Sequence, residues 1–230
     1  MKLYTLEPSG KLAAKISGSS KRIKMNVLIK GVDTTDSDTL VVIGNGTPDD
    51  IAFSIIAFHI KVGKIAGIVK PKMERRYGFI NLIPTYLKGK VRKILILMDQ
   101  EDDKMSTIYE TIHEGVKKLE TGKIKVSDEE SEKVRVYEGK YGGKAFELII
   151  VINGLDEIYT DKHSIEDHLL KAAEILSIEV EDFENSKAAW KSINHDLQLK
   201  IFKGLEEKRK IVESVFPQQI KGCEYLKSIN

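Results

Sequence analysis

The sequence predicts an α/β fold, a mainly parallel sheet covered by helices, with an N-terminal β element and a helical C-terminal extension. Three observations carry that expectation. Between residues 40 and 121 short apolar runs and longer helix-like runs alternate as strand, helix, strand, helix, strand, helix. The apolar runs are short and β-branched, as in strands buried on both faces. At 230 residues the chain can bury a full core.

The elements follow in order. Lys2 to Thr5, Leu12 to Ile16 and Lys24 to Lys30 are strand-like pieces, parted by the turn residues Pro8-Ser9-Gly10 and Gly18-Ser19-Ser20. DTTDSD at 33–38 is a polar linker. TLVVIG is a buried strand and GNGTPDD turns the chain into the helix DIAFSIIAFHIKVG. There Thr47 can cap, Pro48 suits the first position, and Asp49 and Asp50 suit the positive end. KIAGIVK is the next strand and KPKMERRYG a basic loop. FINLIPTYLKG is a helix interrupted at Pro84. VRKILILMD at 91–99 is the most apolar strand, and MSTIYETIHEGVKKLE a clear amphipathic helix. KVRVYE and AFELIIVIN form a hairpin about GKYGG. SIEDHLLKAAEIL is a helix, 185–215 supplies one or two more, and Pro217 ends that stretch. The expected division is a β element at 1–38, an α/β domain at 39–163 and a helical extension at 164–230.

Composition narrows the function classes. Lys+Arg 37 against Asp+Glu 35 leaves a net charge of +2, which argues against a broadly basic nucleic-acid binder but allows a local basic patch. Charged residues make up 31% with both signs mixed, a composition that points to a thermophilic source. The lone Cys223 excludes an internal disulfide and a multi-cysteine zinc site. MKLYTLEPSG lacks the apolar core of a signal peptide, and IAFSIIAFHIKVG is broken by His59 and Lys61. The expectation is a cytoplasmic protein that does not engage a membrane.

Ligands of parallel α/β sheets collect beyond the carboxyl ends of the strands. Three such ends can be read: Asn45, Gly46 and Asp49; Lys70, Lys72, Arg75 and Arg76; and Asp99, Glu101, Asp102 and Asp103. Asp99 and Glu101 are two apart, so an extended backbone turns both to one side. Carboxylate oxygens suit hard cations such as magnesium. A plainer reading stands beside this one. Asp102 and Asp103 precede a helix, where acids favour the dipole whatever the function.

This arrangement resembles the Toprim fold of topoisomerases, primases and overcoming-lysogenization-defect nucleases, and more narrowly the small stand-alone Toprim-like proteins of archaea and bacteria. The resemblance covers about residues 39–170. Toprim enzymes place a glutamate after the first strand in a Glu-Gly-x-x-Asp pattern; here Asn45-Gly46-Thr47-Pro48-Asp49 stands there. Their Asp-x-Asp pattern is matched by Asp99-Gln100-Glu101. The resemblance implies Mg2+ or Mn2+ at Asp99 and Glu101, with help from Asp103. It also implies phosphodiester nicking or hydrolysis on nucleic acid, with Lys70, Lys72, Arg75 and Arg76 as phosphate contacts. Asn45 can accept or donate a hydrogen bond but cannot shuttle a proton. Asp49 or Glu166 would have to supply the missing carboxylate. Glu166 has a plainer reading too, since Ser164-x-x-Asp167 is close to a capping box.

The alternative function is a non-catalytic module that keeps the fold and binds nucleic acid, a nucleotide or a partner protein. A third carboxylate beside Asp99 discriminates the two. The five histidines form no zinc spacing; His59 reads as packed, His163 and His168 as caps or surface, and Trp190 as a helix-packing residue. No third glycine follows Gly44 and Gly46, so no dinucleotide fingerprint exists, and no G-x-x-x-x-G-K-[ST] loop occurs.

Overall fold

The computed structural model describes residues 2–5, 28–31, 38–44, 47–60, 68–69, 77–119, 124–127, 133–181 and 184–227. Two short N-terminal strands, β1 (Lys2–Thr5) and β2 (Leu28–Gly31), pair in parallel as a separate two-stranded sheet. The strand expected at Leu12 to Ile16 lies outside the described residues.

The main unit runs β3 (Thr39–Val42), α1 (Thr47–Ile60), β4 (Ile68–Val69), a 3-10 turn (Gly78–Leu82), α2 (Ile83–Lys88), β5 (Lys93–Asp99) and α3 (Met105–Lys117). Then come β6 (Lys125–Ser127), β7 (Val134–Tyr141), β8 (Lys144–Asn153), α4 (Ile165–Ile175), α5 (Ser186–Ser192), α6 (His195–Glu207), α7 (Arg209–Val215) and α8 (Pro217–Lys227). The six-stranded sheet has the order β4-β3-β5-β8-β7-β6. β4, β3, β5 and β8 are mutually parallel, β7 runs antiparallel to β8, and the edge strand β6 runs antiparallel to β7. The expected α/β class with a mainly parallel central sheet is therefore present.

The side chains of the central strands alternate between two buried faces. Val41, Leu95, Leu97, Ile149 and Val151 meet α1 and α4 through α8. Leu40, Val42, Ile94, Ile96, Ile150 and Ile152 meet the 3-10 turn, α2 and α3. Both faces are dry, so β5 tolerates no polar residue between Ile94 and Met98, and each buried Ile or Leu contributes roughly 1.5–3 kcal/mol. The residues expected to form a helical extension complete the first face. Gly222 in α8 lies so close to β8 that an added Cβ would collide with Val151. A division at residue 163/164 thus cuts through one core.

Several local expectations change. The hairpin connection is shorter than GKYGG, because only Gly142 and Gly143 leave the ladder, with φ of 55° and 76° as a tight two-residue turn requires. FINLIPTYLKG is split, as expected, into a 3-10 turn and a helix with Pro84 in its first turn. The stretch 185–215 holds three helices, not one or two. Pro217 does not end the helical stretch. It opens α8, where proline has no backbone N–H to leave unpaired. No helix among the described residues is long and apolar enough to cross a membrane.

Candidate functional site at the carboxyl ends of the strands

The chain leaves β3 toward the β4 edge and returns to pair β5 on the other flank of β3. The helical connections lie on opposite faces, α1 on one and α2 on the other. The crevice beyond the ends of β3 and β5 is therefore the topological switch point, the usual ligand position in such sheets.

Asp99 ends β5 and is half-buried. Its Oδ1 accepts from Asn153 Nδ2 at 3.1 Å and from the Ile165 backbone N–H at 3.1 Å. Its Oδ2 lies 3.3 Å from Lys187 Nζ. Glu101 Oε1 takes the same ammonium in a closer ion pair. Glu101 has φ of 55°, and its backbone exchanges hydrogen bonds with His163 at 2.8 and 2.9 Å. That left-handed kink, rather than an extended strand, brings its carboxylate beside Asp99.

Glu166 stands in the first turn of α4, 7% exposed, with Oε2 buried and making no hydrogen bond. Burial pushes its carboxyl above the usual range; Ser164 alongside pulls the other way, and the Asp99 charge adds to the rise. Asp99 is raised as well, chiefly by burial, against the pull of Lys187, Asn153 and Ile165. Burial works against the Lys187 ammonium, but Asp99 and Glu101 outweigh it and hold the lysine above its usual range.

The structure thus joins Asp99 and Glu101 through Lys187, with Glu166 near enough for its charge to act on Asp99 and Lys187. Asp103 is turned elsewhere: its Oδ2 accepts from Tyr77 at 2.9 Å, and Tyr77 packs on the α2/α3 face. Neither Asp102 nor Asp103 caps α3, whose N-cap is Lys104 without a side-chain bond. Asp49 is buried over Gly44, its Oδ1 2.6 Å from where a Gly44 Cβ would stand. Asn45, Gly46, Lys70, Lys72, Arg75 and Arg76 lie outside the described residues.

The capping box expected at Ser164 is absent. Ser164 is the N-cap but its hydroxyl makes no capping bond, lying instead beside the Glu166 carboxyl. Asp167 instead accepts from the Leu155 N–H at 3.0 Å and pairs His163 Nδ1 at 2.9 Å. His168 is no surface residue: it is wholly buried, stacked on Phe216. Its Nε2 accepts from the Gly154 N–H at 3.0 Å, so Nδ1 carries the proton toward Val215 O. His59 is half-buried, its Nε2 2.8 Å from Leu205 O, and Trp190 packs edge-on to Phe202.

Sequence reasoning missed Lys187 and Asn153. Asn153 had a readable signal, a polar residue ending the apolar strand AFELIIVIN just as Asp99 ends ILILMD. Lys187 had none, being 86 residues from Glu101 in a helix with nothing to mark it. Carboxylate oxygens from Asp99, Glu101 and Glu166 are the right donor type for a hard divalent cation. In this conformation Lys187 stands among them, and among the described residues no three acidic, histidine or cysteine side chains form a ready metal group. Compared with family models, curated proteins and solved structures, the chain finds no match.

Proposed function

We propose that the switch-point site binds Mg2+ or Mn2+ through Asp99 and Glu101 and acts, in a Toprim-like manner, on nucleic-acid phosphodiesters by nicking or hydrolysis. One observation supports this reading: the buried Glu166 carboxyl feels the charge of Asp99, a third acid near the strand end in a chain that has Asn45 where the Toprim pattern has its glutamate. A bound divalent ion would neutralise a phosphate oxygen and make water more acidic. Asp99 and Glu101 would hold it. Asn153 and the Ile165 N–H orient Asp99, and Glu166, whose burial favours its protonated form, is the group suited to give or take a proton. The basic residues Lys70, Lys72, Arg75 and Arg76 would contact backbone phosphates.

The second reading is a non-catalytic module that binds nucleic acid, a nucleotide or a partner protein. Lys187 favours it, because a lysine already neutralises the two carboxylates that a metal would use. Calorimetric titration of Mn2+ into wild type and Asp99→Asn separates the readings. Saturable binding lost in the variant, with Mn2+-dependent nicking of supercoiled plasmid or cleavage of single-stranded oligonucleotides, supports the enzyme. Equal heats for both proteins, or none, leave the module.

A further inference from the structure

Lys187 is placed where a bound cation would be. Its Nζ lies 3.3 Å from Asp99 Oδ2, is closer still to Glu101 Oε1, and feels the Glu166 charge. Glu166 is 7% exposed and its charge acts on both Asp99 and Lys187, so three acids bear on the one ammonium. The helix that carries Lys187 is firmly seated. Asn185 Oδ1 caps it by accepting from the Ala188 N–H at 2.9 Å, and Trp190 meets Phe202 at 5.5 Å. The lysine side chain itself keeps 34% exposure, and its four-carbon stem can swing into solvent without moving α5.

We propose that Lys187 is a tethered counter-cation that competes with the divalent ion for Asp99 and Glu101. The inference rests on the metal reading above and adds its regulation: the free protein holds its acids closed with its own ammonium, and metal enters only by displacing it. Two carboxylates with a 1+ partner attract a 2+ ion far less than two bare ones. At contact distance, removing the ammonium should tighten metal binding by about tenfold or more.

Mn2+ calorimetry on wild type, Lys187→Gln and Lys187→Gln/Asp99→Asn tests this. Lys187→Gln should bind Mn2+ at least about tenfold tighter than wild type, and the double variant should lose that binding. Equal affinities for wild type and Lys187→Gln, both lost in Asp99→Asn, would keep the metal site and overturn the competition. No saturable binding by any protein would overturn both. A measurement on unaltered protein guards against a variant that does not fold. The acylation rate of Lys187 by an amine-reactive ester, read by mass spectrometry, should rise several-fold on adding Mg2+. A rate unchanged at Mg2+ concentrations that saturate the calorimetric site would overturn the proposal.

Discussion

Asn153 and Asp99 are direct partners across β8 and β5, in register as Cα neighbours, with Asn153 Nδ2 donating to Asp99 Oδ1 at 3.1 Å. The orientation of that amide is fixed from behind, because Gln219 Nε2 donates to Asn153 Oδ1 at 2.9 Å. A relay of amides from α8 to the strand end therefore holds one side of the candidate site, while Lys187 holds the other.

The relay makes Asn153→Asp a sharp test. It replaces a donor by a carboxylate against Asp99, and two acids sharing one site raise at least one folded-state pKa. A raised acid costs most above its folded pKa and nothing below the unfolded value of about 4. We expect a loss of about 2–4 kcal/mol at pH 7 in urea denaturation, shrinking toward pH 4. A loss that does not depend on pH would mean the partner is packing rather than charge.

Gly154 allows His163 to lie where it does. Its φ is 124°, and an added Cβ would stand 2.5 Å from His163 Cβ. Gly154→Ala should cost at least about 2 kcal/mol, combining backbone strain and a clash beside Glu101. Gly143→Ala is the control, with φ of 76° but nothing within 4 Å, and should cost about 1 kcal/mol. Thermal melts of both variants decide the matter; equal shifts would show that the His163 contact adds nothing.

How much of this the sequence reveals follows from the range of each signal. β5, α3 and the β7–β8 hairpin are carried by local periodicity, so ILILMD and the Gly142-Gly143 turn announce themselves. Asp99 is legible because an acid directly after an apolar run is a local event. The convergence of Glu101, Glu166 and Lys187 is not, since it needs a left-handed kink at Glu101 and packing that joins α4 and α5 to the strand ends. Asp103 misleads for the same reason: its neighbours in sequence are acids, but its partner in space is Tyr77. The residues 70–76 that would carry phosphate contacts lie outside the described structure.

His168 gives stability a pH dependence. Burial, opposed by the Val215 carbonyl, lowers its pKa from 6.5 to about 4, so the folded protein keeps it neutral. Between those two values the unfolded chain binds the extra proton. The contribution of His168 is then complete above pH 6.5 and falls by about 3 kcal/mol as pH drops to 4. The raised acids Asp99 and Glu166 change stability in the opposite sense over the acid range, so the histidine is isolated by difference. Wild type should lose about 3 kcal/mol more than His168→Gln between pH 7 and 4. Parallel curves would show that the imidazole is not held neutral.

Glu166 offers the opposite sign. Its folded pKa is raised by burial despite Ser164 and Lys187, so the folded protein holds this proton more tightly than the unfolded chain does. Stability is then lost as pH rises from the unfolded value of about 4.3 and stays lost above the folded pKa. Glutamine fills nearly the same volume and cannot ionise. Glu166→Gln should therefore stabilise the protein at pH 7 by about 0.5–2 kcal/mol, a gain that fades toward pH 4. If the carboxyl serves a metal or moves a proton, the same substitution must weaken Mn2+ binding or nicking, because a group kept at a cost to stability is kept for its chemistry. Urea denaturation at both pH values, with Mn2+ calorimetry on the same preparations, reads both effects. A variant less stable at pH 7 would make Glu166 a structural ion-pair partner of Lys187 and remove the third carboxyl from the proposed site.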